Sequence, residues 1–338
     1  MHLIEKALLK QGSLNGNYIN ALMTEKEKEC YEKLRYSFNN YEKSISFVGL
    51  SIQQIDKVYQ LLKKEEPELF FVEKISCQYV PLMNCGTVIP KYRFSANEIK
   101  ATMVALKKRI NEIVAPVINK SDYEKEIYVH GFLCSNVIYD RSFKDSSFEC
   151  VGPILFGRGV CEGISKAVKI LFNYLNIEAM VVHGKSVNTN LASSDDNAHA
   201  WNIVRIDGYY YHLDVTFDLT VMTFNVIRYD YFNLSTEDIL IDHQFNAAEV
   251  PNCEMKNDYY MCNKMFMKNQ QMFKSYLDRK MKDGTKDIII KLPVVLDVDR
   301  ARDEILDIAT KWINKHRLRL QLQLSYNESQ RVFHLHIT

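Results

Sequence analysis

The chain has 338 residues, which is longer than one average domain and indicates two domains or one core with appendages. Hydrophobic residues make up 47% of it and charged residues 25%, which is ordinary globular usage and excludes a disordered chain or a fibrous repeat. The formal net charge is +1 and no long basic block is present, so we expect no nucleic-acid partner.

The N-terminal region lacks the pattern of a secretion signal. Charges interrupt its only apolar stretch, and the sequence contains no run of about eighteen apolar residues, the length that spans a bilayer. We therefore expect a cytoplasmic protein that has no membrane partner.

Eight cysteines are spread irregularly along the chain, without a Cys-x-x-Cys pair or a neighbouring group of histidines. This spacing argues against a zinc site, and a chain of this length does not need disulfides to be stable. We expect most of the cysteines to be reduced and buried, and we expect no metal ion or organic cofactor.

Amphipathic helices are predicted for the N-terminal part of the chain. Residues 1–65 are rich in Glu, Lys and Leu with apolar positions at helical spacing, and they predict a helical segment that Pro67 ends. Residues 67–82 then predict a strand and a loop. We expect residues 66–280 to form the core of the protein.

Two further helices carry start signals. Ser95 followed by Glu98 forms a capping-box pattern, and this helix is expected to end at Pro116. Ser121 is the expected N-cap of the next helix, which we predict to end near Tyr139.

The middle of the chain combines one long helix with strands. The helix starts near residue 161, and residues 179–187 predict a strand. The polar residues 188–198 fit either a lid over a substrate groove or an ordinary solvated loop. Residues 198–218 predict a β-hairpin, and residues 229–245 predict a strand followed by a short helix.

The pattern changes from about residue 285. A strand, a charged helix and two alternating strands are predicted there, which gives a βαββ appendage over residues 285–338. His334 and His336 alternate in the last strand, and we interpret them as surface residues, as we do His2 and His316.

Cys161 stands at the start of the long central helix. Apolar residues at steps of three and four mark one buried face of this helix, namely Val160, Ile164, Ala167, Val168, Leu171, Phe172 and Leu175. Backbone N–H groups and the dipole of a first helical turn favour an anion, which stabilises a thiolate. Gly157, Gly159 and Gly163 leave room for a backbone or a substrate. The pattern also fits a small apolar residue at an ordinary helix start.

The hairpin contains a histidine and an aspartate that are suited to act on such a thiol. Asp207-Gly208 predicts a two-residue type I′ turn, in which Ile206 pairs with Tyr209. This pairing fixes which residues of the two strands are opposite each other.

In this register Trp201 is opposite Asp214 and His199 is opposite Thr216. The four side chains share one face, and His199 and Asp214 are diagonal neighbours with Cα atoms about 7–8 Å apart. A carboxylate at that position orients an imidazole that acts as a general base. An exposed hairpin with an unrelated His and Asp is the alternative.

Three motifs around these residues resemble the transglutaminase-like superfamily, whose papain-like core is shared with many cysteine proteases. They are Gly-Val-Cys-x-Gly at residues 159–163, His-Ala-Trp-Asn at residues 199–202 and Tyr-His-x-Asp-x-Thr at residues 211–216. The match is closest to bacterial members and extends more weakly over about residues 50–250. It implies an α+β fold whose nucleophile helix packs on an antiparallel sheet, with the N-terminal helices and the βαββ unit added to this core.

The resemblance also implies a Cys-His-Asp triad. In it Cys161 is the nucleophile, His199 the general base and Asp214 the orienting carboxylate. Trp201 and Asn202 would support the strand of the base by packing and hydrogen bonding.

The oxyanion donors are less defined. The backbone N–H of Cys161 is one candidate, since a helix N-terminus presents oriented donors. Asn136 or Tyr139 would give a second donor, although loop and packing roles fit both. Phe217 and Ile164 depart from the Trp and Tyr that are usual in the family.

The implied chemistry is thiol-dependent acyl transfer on an amide bond of a protein or peptide substrate. Water as the second nucleophile gives a peptidase or amidase, which we favour. A lysine amine gives a cross-linking transglutaminase. A third alternative is a catalytically silent protein-binding module on the same fold.

Overall fold

The computed structural model describes residues 18, 21–187, 197–256, 258–293 and 297–338. Its first long helices are α1 (Glu25–Asn39) and α2 (Ile52–Glu65), which begin at capping boxes and flank strand β1 (Ile45–Val48). In a capping box two side chains three residues apart satisfy each other's backbone N–H groups. The predicted N-terminal helices are therefore present within residues 25–65.

Strand β1 forms a small antiparallel sheet with the next two strands. These are β2 (Val72–Val80) and β3 (Cys85–Tyr92), and the strand order is β1-β3-β2. The strand predicted after Pro67 is thus confirmed.

Helices α3 (Ala96–Val114) and α4 (Asp122–Asn136) begin at the predicted caps, Ser95 and Ser121. Helix α3 continues as a short 3-10 turn through Pro116. Helix α4 ends at Asn136 rather than near Tyr139, because Val137 is extended and residues Ile138–Tyr139 form the short strand β4.

The long central helix follows a compact turn. Strand β4 pairs in parallel with β5 (Arg158–Gly159), which comes after helix α5 (Val151–Phe156) and directly before helix α6 (Cys161–Tyr174). This pairing fixes the direction in which the chain enters α6.

Helix α6 packs on a five-stranded antiparallel sheet, as predicted. Strands β6 (Ala179–Ser186), β7 (Ala198–Ile206) and β8 (Tyr209–Leu213) form its middle. After helix α7 (Val215–Val221) come β9 (Phe232–Leu234), α8 (Thr236–Ile239) and β10 (His243–Gln244). The strand order is β10-β6-β7-β8-β9.

All seven apolar residues predicted to face inward from this helix are buried. Helix α6 also contacts α3, α4, α5 and α7, so its other faces are covered as well. Lys166 and Lys169 are buried on it, because Lys166 pairs with Glu149 at 2.9 Å and Lys169 with Glu65 at 2.8 Å. Helix α6 is therefore the centre of the core.

The C-terminal part follows helix α9 (Tyr259–Cys262). It consists of α10 (Gln270–Lys282), β11 (Asp287–Lys291), α11 (Val298–Lys315), β12 (Leu322–Asn327) and β13 (Val332–Ile337), and its strand order is β11-β13-β12. The predicted strand-helix-strand-strand order is confirmed.

Two large hydrophobic clusters contain most of the described core, and a small third one contains Phe217, Tyr231, Leu234 and Ile239. The first large cluster extends from Met23 to Cys253 and includes side chains of α1 and α2, and the second extends from Met267 to Ile337 and includes side chains of α10. The domain boundaries expected at residues 65 and 285 stay predictions. None of the helices in the described part of the chain combines the length and the apolar character that a membrane span requires.

The interpretation of His334 and His336 as surface residues is wrong for His334. Its side chain is fully buried, and that of His336 is 18% exposed. One face of strand β13 packs into the C-terminal cluster, and the face with these two histidines contacts Thr223 and Phe224 from the core. The alternation of polar and apolar residues in β13 could not show that the segment with Thr223 and Phe224 covers the polar face of this strand.

Gly163 in the first turn of α6 permits a close backbone approach. A Cβ atom at this position would lie 2.2 Å from the Ser147 carbonyl oxygen and 3.2 Å from that of Glu149. The room that the glycine leaves is thus filled by the preceding loop.

We expect Gly163→Ala to lower the free energy of unfolding by roughly 1–3 kcal/mol, because the loop or the helix must shift. Gly131→Ala in α4 is the matched control, since a Cβ atom there comes no closer than 3.6 Å to Ile227 and alanine favours a helix. Urea denaturation measures both variants. Equal stability of the two would contradict this account of Gly163.

Candidate active site

Cys161 is the first residue of helix α6 and is half-buried. Val160, in the N-cap position, has extended backbone (φ −94°, ψ 176°), and no side chain of the described residues caps the helix. The first N–H groups of α6 and the positive end of its dipole therefore favour a negative charge near Cys161.

His199 lies in strand β7 with a buried side chain. Its ring stacks on Trp201, with centroids 5.8 Å apart and an interplanar angle of 17°, and contacts Phe217 at 4.7 Å between centroids. The two aromatic rings fix the orientation of the imidazole. Phe217, which departs from the residue usual in the family, thus packs directly against the predicted base.

The register predicted for the hairpin is confirmed over the strands. Asn202 pairs with Leu213 and Ile206 with Tyr209, and both turn residues have positive φ, 49° at Asp207 and 90° at Gly208. The two-residue turn therefore sets the pairing of β7 with β8.

The ladder ends at Leu213, so two predicted cross-strand pairs do not form. Trp201 is not paired with Asp214, and Thr216 lies in helix α7 instead of opposite His199. Asp214 is the N-cap of α7, where its Oδ1 accepts a hydrogen bond of 3.0 Å from the Phe217 N–H. Helix α7 thus begins where strand β8 was expected to continue, because the Asp214 side chain accepts a hydrogen bond from a backbone N–H group of the first helical turn.

Asp214 nevertheless meets His199. The Nε2 atom of His199 lies 2.5 Å from Oδ2 of Asp214, and both side chains are buried. The carboxylate thus both caps a helix and fixes the ring of the histidine.

Charge and burial set the protonation of this pair. Burial lowers the pKa of the His199 imidazole, but the Asp214 carboxylate and the adjacent Cys161 outweigh this effect and raise the pKa to about 10. Burial raises the pKa of Asp214, but His199 and His243 outweigh it and hold this pKa well below its usual value. An imidazolium beside a carboxylate is therefore the favoured state at neutral pH.

The Cys161 side chain interacts with two of the predicted residues. Hydrogen bonding to Cys161 contributes to the pKa shifts of both His199 and Tyr139. Because Nε2 of His199 is bound to Asp214, Nδ1 is the ring nitrogen left for the sulfur. The structure thus brings Cys161, His199, Asp214 and Tyr139 together.

Tyr139 lies in strand β4 and pairs with Gly159, two residues before Cys161. Burial, followed by the charges of Cys161 and Asp214, raises the pKa of its hydroxyl, which stays protonated and able to donate at neutral pH. Asn136 is exposed at the end of α4, and its amide donates to the Phe132 carbonyl at 2.8 Å. Of the two upstream candidates, Tyr139 is the one whose hydroxyl pKa responds to Cys161.

Trp201 and Asn202 support the site from strand β7. The indole N–H of Trp201 donates to Nδ1 of His212 at 3.1 Å. The buried amide of Asn202 donates to the carbonyl oxygens of Ser165 in α6, at 3.0 Å, and Met180 in β6, at 3.2 Å. Asn202 therefore ties the strand of the histidine to the helix of the cysteine.

A negative charge next to the thiol is neutralised. Glu162 follows Cys161 and pairs with Lys166 at 3.1 Å and with His183 at 2.6 Å. Burial raises the pKa of Glu162, but these two partners outweigh it and lower the pKa to about 2. The carboxylate is thus ionised but compensated, which limits its repulsion of a thiolate.

His243 is a buried partner of Asp214 that the sequence analysis did not identify. Its Nε2 lies 3.0 Å from Oδ2 of Asp214, and its Nδ1 lies 2.7 Å from Oδ1 of Asp242. The Tyr231 hydroxyl donates to Asp242 at 2.6 Å. Asp214 thus lies between two imidazoles, and a second carboxylate holds the outer one.

Three of these side chains also have the character of metal ligands. The ligand atoms of His199, Asp214 and His243 lie within 4.8 Å of one another. All three are buried, and each of these atoms takes part in a hydrogen bond within the group. Direct hydrogen bonds account for this arrangement.

We expect His243→Gln to destabilise the protein in a pH-dependent manner. Burial lowers the pKa of His243, but the bonds to Asp214 and Asp242 outweigh it and raise the pKa. The stabilisation by His243 is therefore fully present below the ordinary histidine pKa and is lost as the pH rises through the raised value. The loss of unfolding free energy should be about 3 kcal/mol at pH 6 and smaller at pH 9.

Urea denaturation at the two pH values measures this effect. His183→Gln is the control, because His183 is an exposed histidine that also pairs with a carboxylate. An equal loss in both variants, or a loss for His243→Gln that does not change with pH, would show that His243 is not held as an ion-paired group.

Comparisons with known proteins bear on this group of residues. Residues 111–215 match the family described as the transglutaminase-like superfamily, which supports a protein of the thiol-enzyme kind. None of the curated proteins compared with the chain matches it.

Two solved structures are similar to part of the chain. A proposed cysteine protease from Cytophaga hutchinsonii is 14% identical, with 42% of this chain and 61% of that one covered and a TM-score of 0.29. A TGase is 14% identical, with 55% and 53% covered and a TM-score of 0.31. The chain thus spans 61% and 53% of the length of these structures, and at this similarity neither indicates a function.

The resemblance recognised in the three motifs is confirmed by the family match, because the matched residues 111–215 include Cys161, His199 and Asp214.

Proposed function

We propose that the protein is a thiol-dependent acyl transferase that acts on amide bonds of a protein or peptide through Cys161, His199 and Asp214. The observation that carries the proposal is the position of His199, which interacts with the Cys161 side chain and binds Asp214 through Nε2 at 2.5 Å. A nucleophile, a base and a group that orients the base are the parts that covalent catalysis needs.

The first half of the reaction forms a thioester. The Cys161 thiolate attacks the carbonyl carbon of the substrate, and His199 transfers a proton to the leaving amine as the C–N bond breaks. Asp214 keeps the ring oriented and balances the imidazolium charge.

The negative oxygen that develops during the attack needs donors. The uncapped N–H groups at the start of α6 lie next to Cys161, and the Tyr139 hydroxyl interacts with Cys161, so we assign them this role. These donors need no rearrangement during the reaction, because helix α6 and strand β4 hold them in place.

Water is the proposed second nucleophile. His199 removes a proton from the water as it attacks the thioester carbon, and the C–S bond breaks to give a carboxylic acid and the free thiol. The residues considered as a lid, 188–198, lie almost wholly outside the described residues. A cross-linking transglutaminase uses the same triad with a lysine amine in place of water.

The second nucleophile can be measured directly. A glutamine-containing peptide library is incubated with the protein and a fluorescent primary amine, and products are identified by mass spectrometry. Hydrolysed products without amine incorporation support a hydrolase, whereas incorporation of the amine supports the transglutaminase. A binding module gives neither product.

We expect iodoacetamide at pH 6 to label Cys161 faster than any other cysteine, because Cys161 lies at a helix N-terminus beside the imidazolium of His199, which is the electropositive setting of reactive cysteines. His199→Ala should slow the labelling at least about tenfold, and Cys161→Ala should fold and remain unlabelled at this position. The exposed Cys262 is an internal control, since partial burial of its sulfur raises its pKa. Labelling of Cys161 no faster than Cys262 would favour the silent binding module.

We expect Asp214→Asn to keep part of the reactivity but to lower the pKa of His199 by about one unit or more. Asparagine still accepts the Phe217 N–H, so helix α7 keeps its cap, but the charge that stabilises the imidazolium is gone.

The rate of alkylation by iodoacetate, followed from pH 5 to pH 10, measures this shift. Iodoacetate is an anion and reacts fastest while the imidazolium is present, so the alkaline decrease in rate should move to lower pH in Asp214→Asn. Neutral iodoacetamide is the control for loss of thiolate. If the rate decreased at the same alkaline pH in both proteins, Asp214 would not be the group that stabilises the imidazolium of His199.

A further inference from the structure

A second group of histidines and an aspartate lies in the C-terminal sheet, apart from the candidate active site. Asp287 in β11 is directly opposite His336 in β13, and Ile289 is opposite His334. Residues two positions apart on a strand share a face. Asp287, His334 and His336 therefore project from the same face of one rigid sheet.

The potential ligand atoms of these side chains converge. Oδ1 of Asp287 lies 2.9 Å from Nε2 of His334 and 2.7 Å from Nδ1 of His336. All three atoms lie within 4.8 Å of one another. Atoms bound to one metal ion at about 2.0–2.2 Å are about 3.0–3.5 Å apart, so binding an ion requires the two distances from Asp287 to lengthen by a few tenths of an ångström.

Residues behind His334 fix its ring. The Thr223 hydroxyl lies 3.1 Å from Nδ1 of His334 and 2.8 Å from the hydroxyl of Ser325. With Nδ1 held in this way, Nε2 faces Asp287. Metal-binding histidines in proteins are oriented by such a contact of the second ring nitrogen.

The ring of His336 is held by Phe224. The two rings are stacked with centroids 4.3 Å apart and an interplanar angle of 9°, and the edge of the same phenyl ring contacts His334 at 5.2 Å. Phe224 and Asn225 have φ values of 56° and 58° in a tight turn. Positive φ is unfavourable for a bulky residue, so the turn holds Phe224 in place against the histidines at some cost.

The surrounding charge does not oppose a cation. The positive charge of Arg228 disfavours a positive charge at His334. The guanidinium is, however, paired with both carboxylate oxygens of Asp230, at 3.0 and 2.8 Å. The charge of Arg228 is thus compensated by Asp230, and the carboxylate of Asp287 is available to a cation.

We propose that Asp287, His334 and His336 bind a divalent transition-metal ion of the Zn²⁺ type. Two imidazole nitrogens and one carboxylate oxygen suit zinc and its neighbours, whereas Mg²⁺ and Ca²⁺ prefer oxygen ligands alone. The cysteine spacing gave no sign of this site, because its ligands come from two paired strands. The site is independent of the proposed acyl transfer.

Isothermal titration of the EDTA-treated full-length chain with ZnCl₂ tests the proposal, and Co²⁺ absorption in the visible range serves as a second readout. The wild type should bind one ion that Asp287→Asn and His336→Ala weaken at least tenfold. His316→Ala removes an exposed histidine of the same unit and should leave binding unchanged. His199→Ala should also leave it unchanged, which separates this ion from any bound in the active site.

Thr223→Val adds a test that leaves all three ligands intact. It removes the hydroxyl that orients His334 and should weaken Zn²⁺ binding about tenfold. Absence of Zn²⁺ binding by the wild type, or binding that His336→Ala and Asp287→Asn do not change, would overturn the proposal. Loss of the ion in His199→Ala alone would also overturn it, since the ion would then belong to the active site.

Discussion

The carboxylate of Asp214 is the contact on which the candidate site depends. One of its oxygens accepts the Phe217 N–H, and the other lies within hydrogen-bonding distance of both His199 and His243. These partners come from three separate elements, namely helix α7, strand β7 and strand β10. Burial of a carboxylate without such partners would lower the free energy of unfolding by several kcal/mol. The three partners therefore stabilise the charge of Asp214, and this charge in turn holds the three elements together.

The cysteine is positioned by different means. Helix α6 is buried on all sides, and Asn202 binds its backbone from strand β7, so Cys161 and His199 are held in a fixed relation. Around the thiol the charges of Glu162 and Lys166 balance each other. The site therefore combines a rigid scaffold with one ionised pair, which suits a group that must hold a thiolate and an imidazolium together.

Much of this arrangement could be predicted because it is local in sequence. Asp207-Gly208 set the hairpin register, and the apolar spacing of α6 set its buried face. The end of strand β8 at Leu213 could not be predicted, because a helix cap and a strand position both suit Asp214. His243 was beyond sequence reasoning as a partner of Asp214, since β10 reaches Asp214 only through its pairing with β6. The sequence proposed both Asn136 and Tyr139 near Cys161 and could not choose between them, since that choice depends on the pairing of β4 with β5.

The segment after α7 links the site to the C-terminal sheet. Thr223 and Phe224 contact the histidine pair of β13, and Asn327 of β12 donates to Asp230 at 3.1 Å. The C-terminal unit is thus attached to the core through polar groups as well as by the chain. Sequence alternation alone indicated an exposed face there.

The most direct test of the account is the protonation state of His199, which ¹⁵N NMR of histidine-labelled protein reports through the shifts of its ring nitrogens. The spectrum is recorded at pH 8, with His199→Ala used for assignment. We expect an imidazolium at this pH, because Asp214 and Cys161 raise the pKa of His199 to about 10. A neutral imidazole at pH 8 would contradict the ion pair on which the proposed chemistry rests.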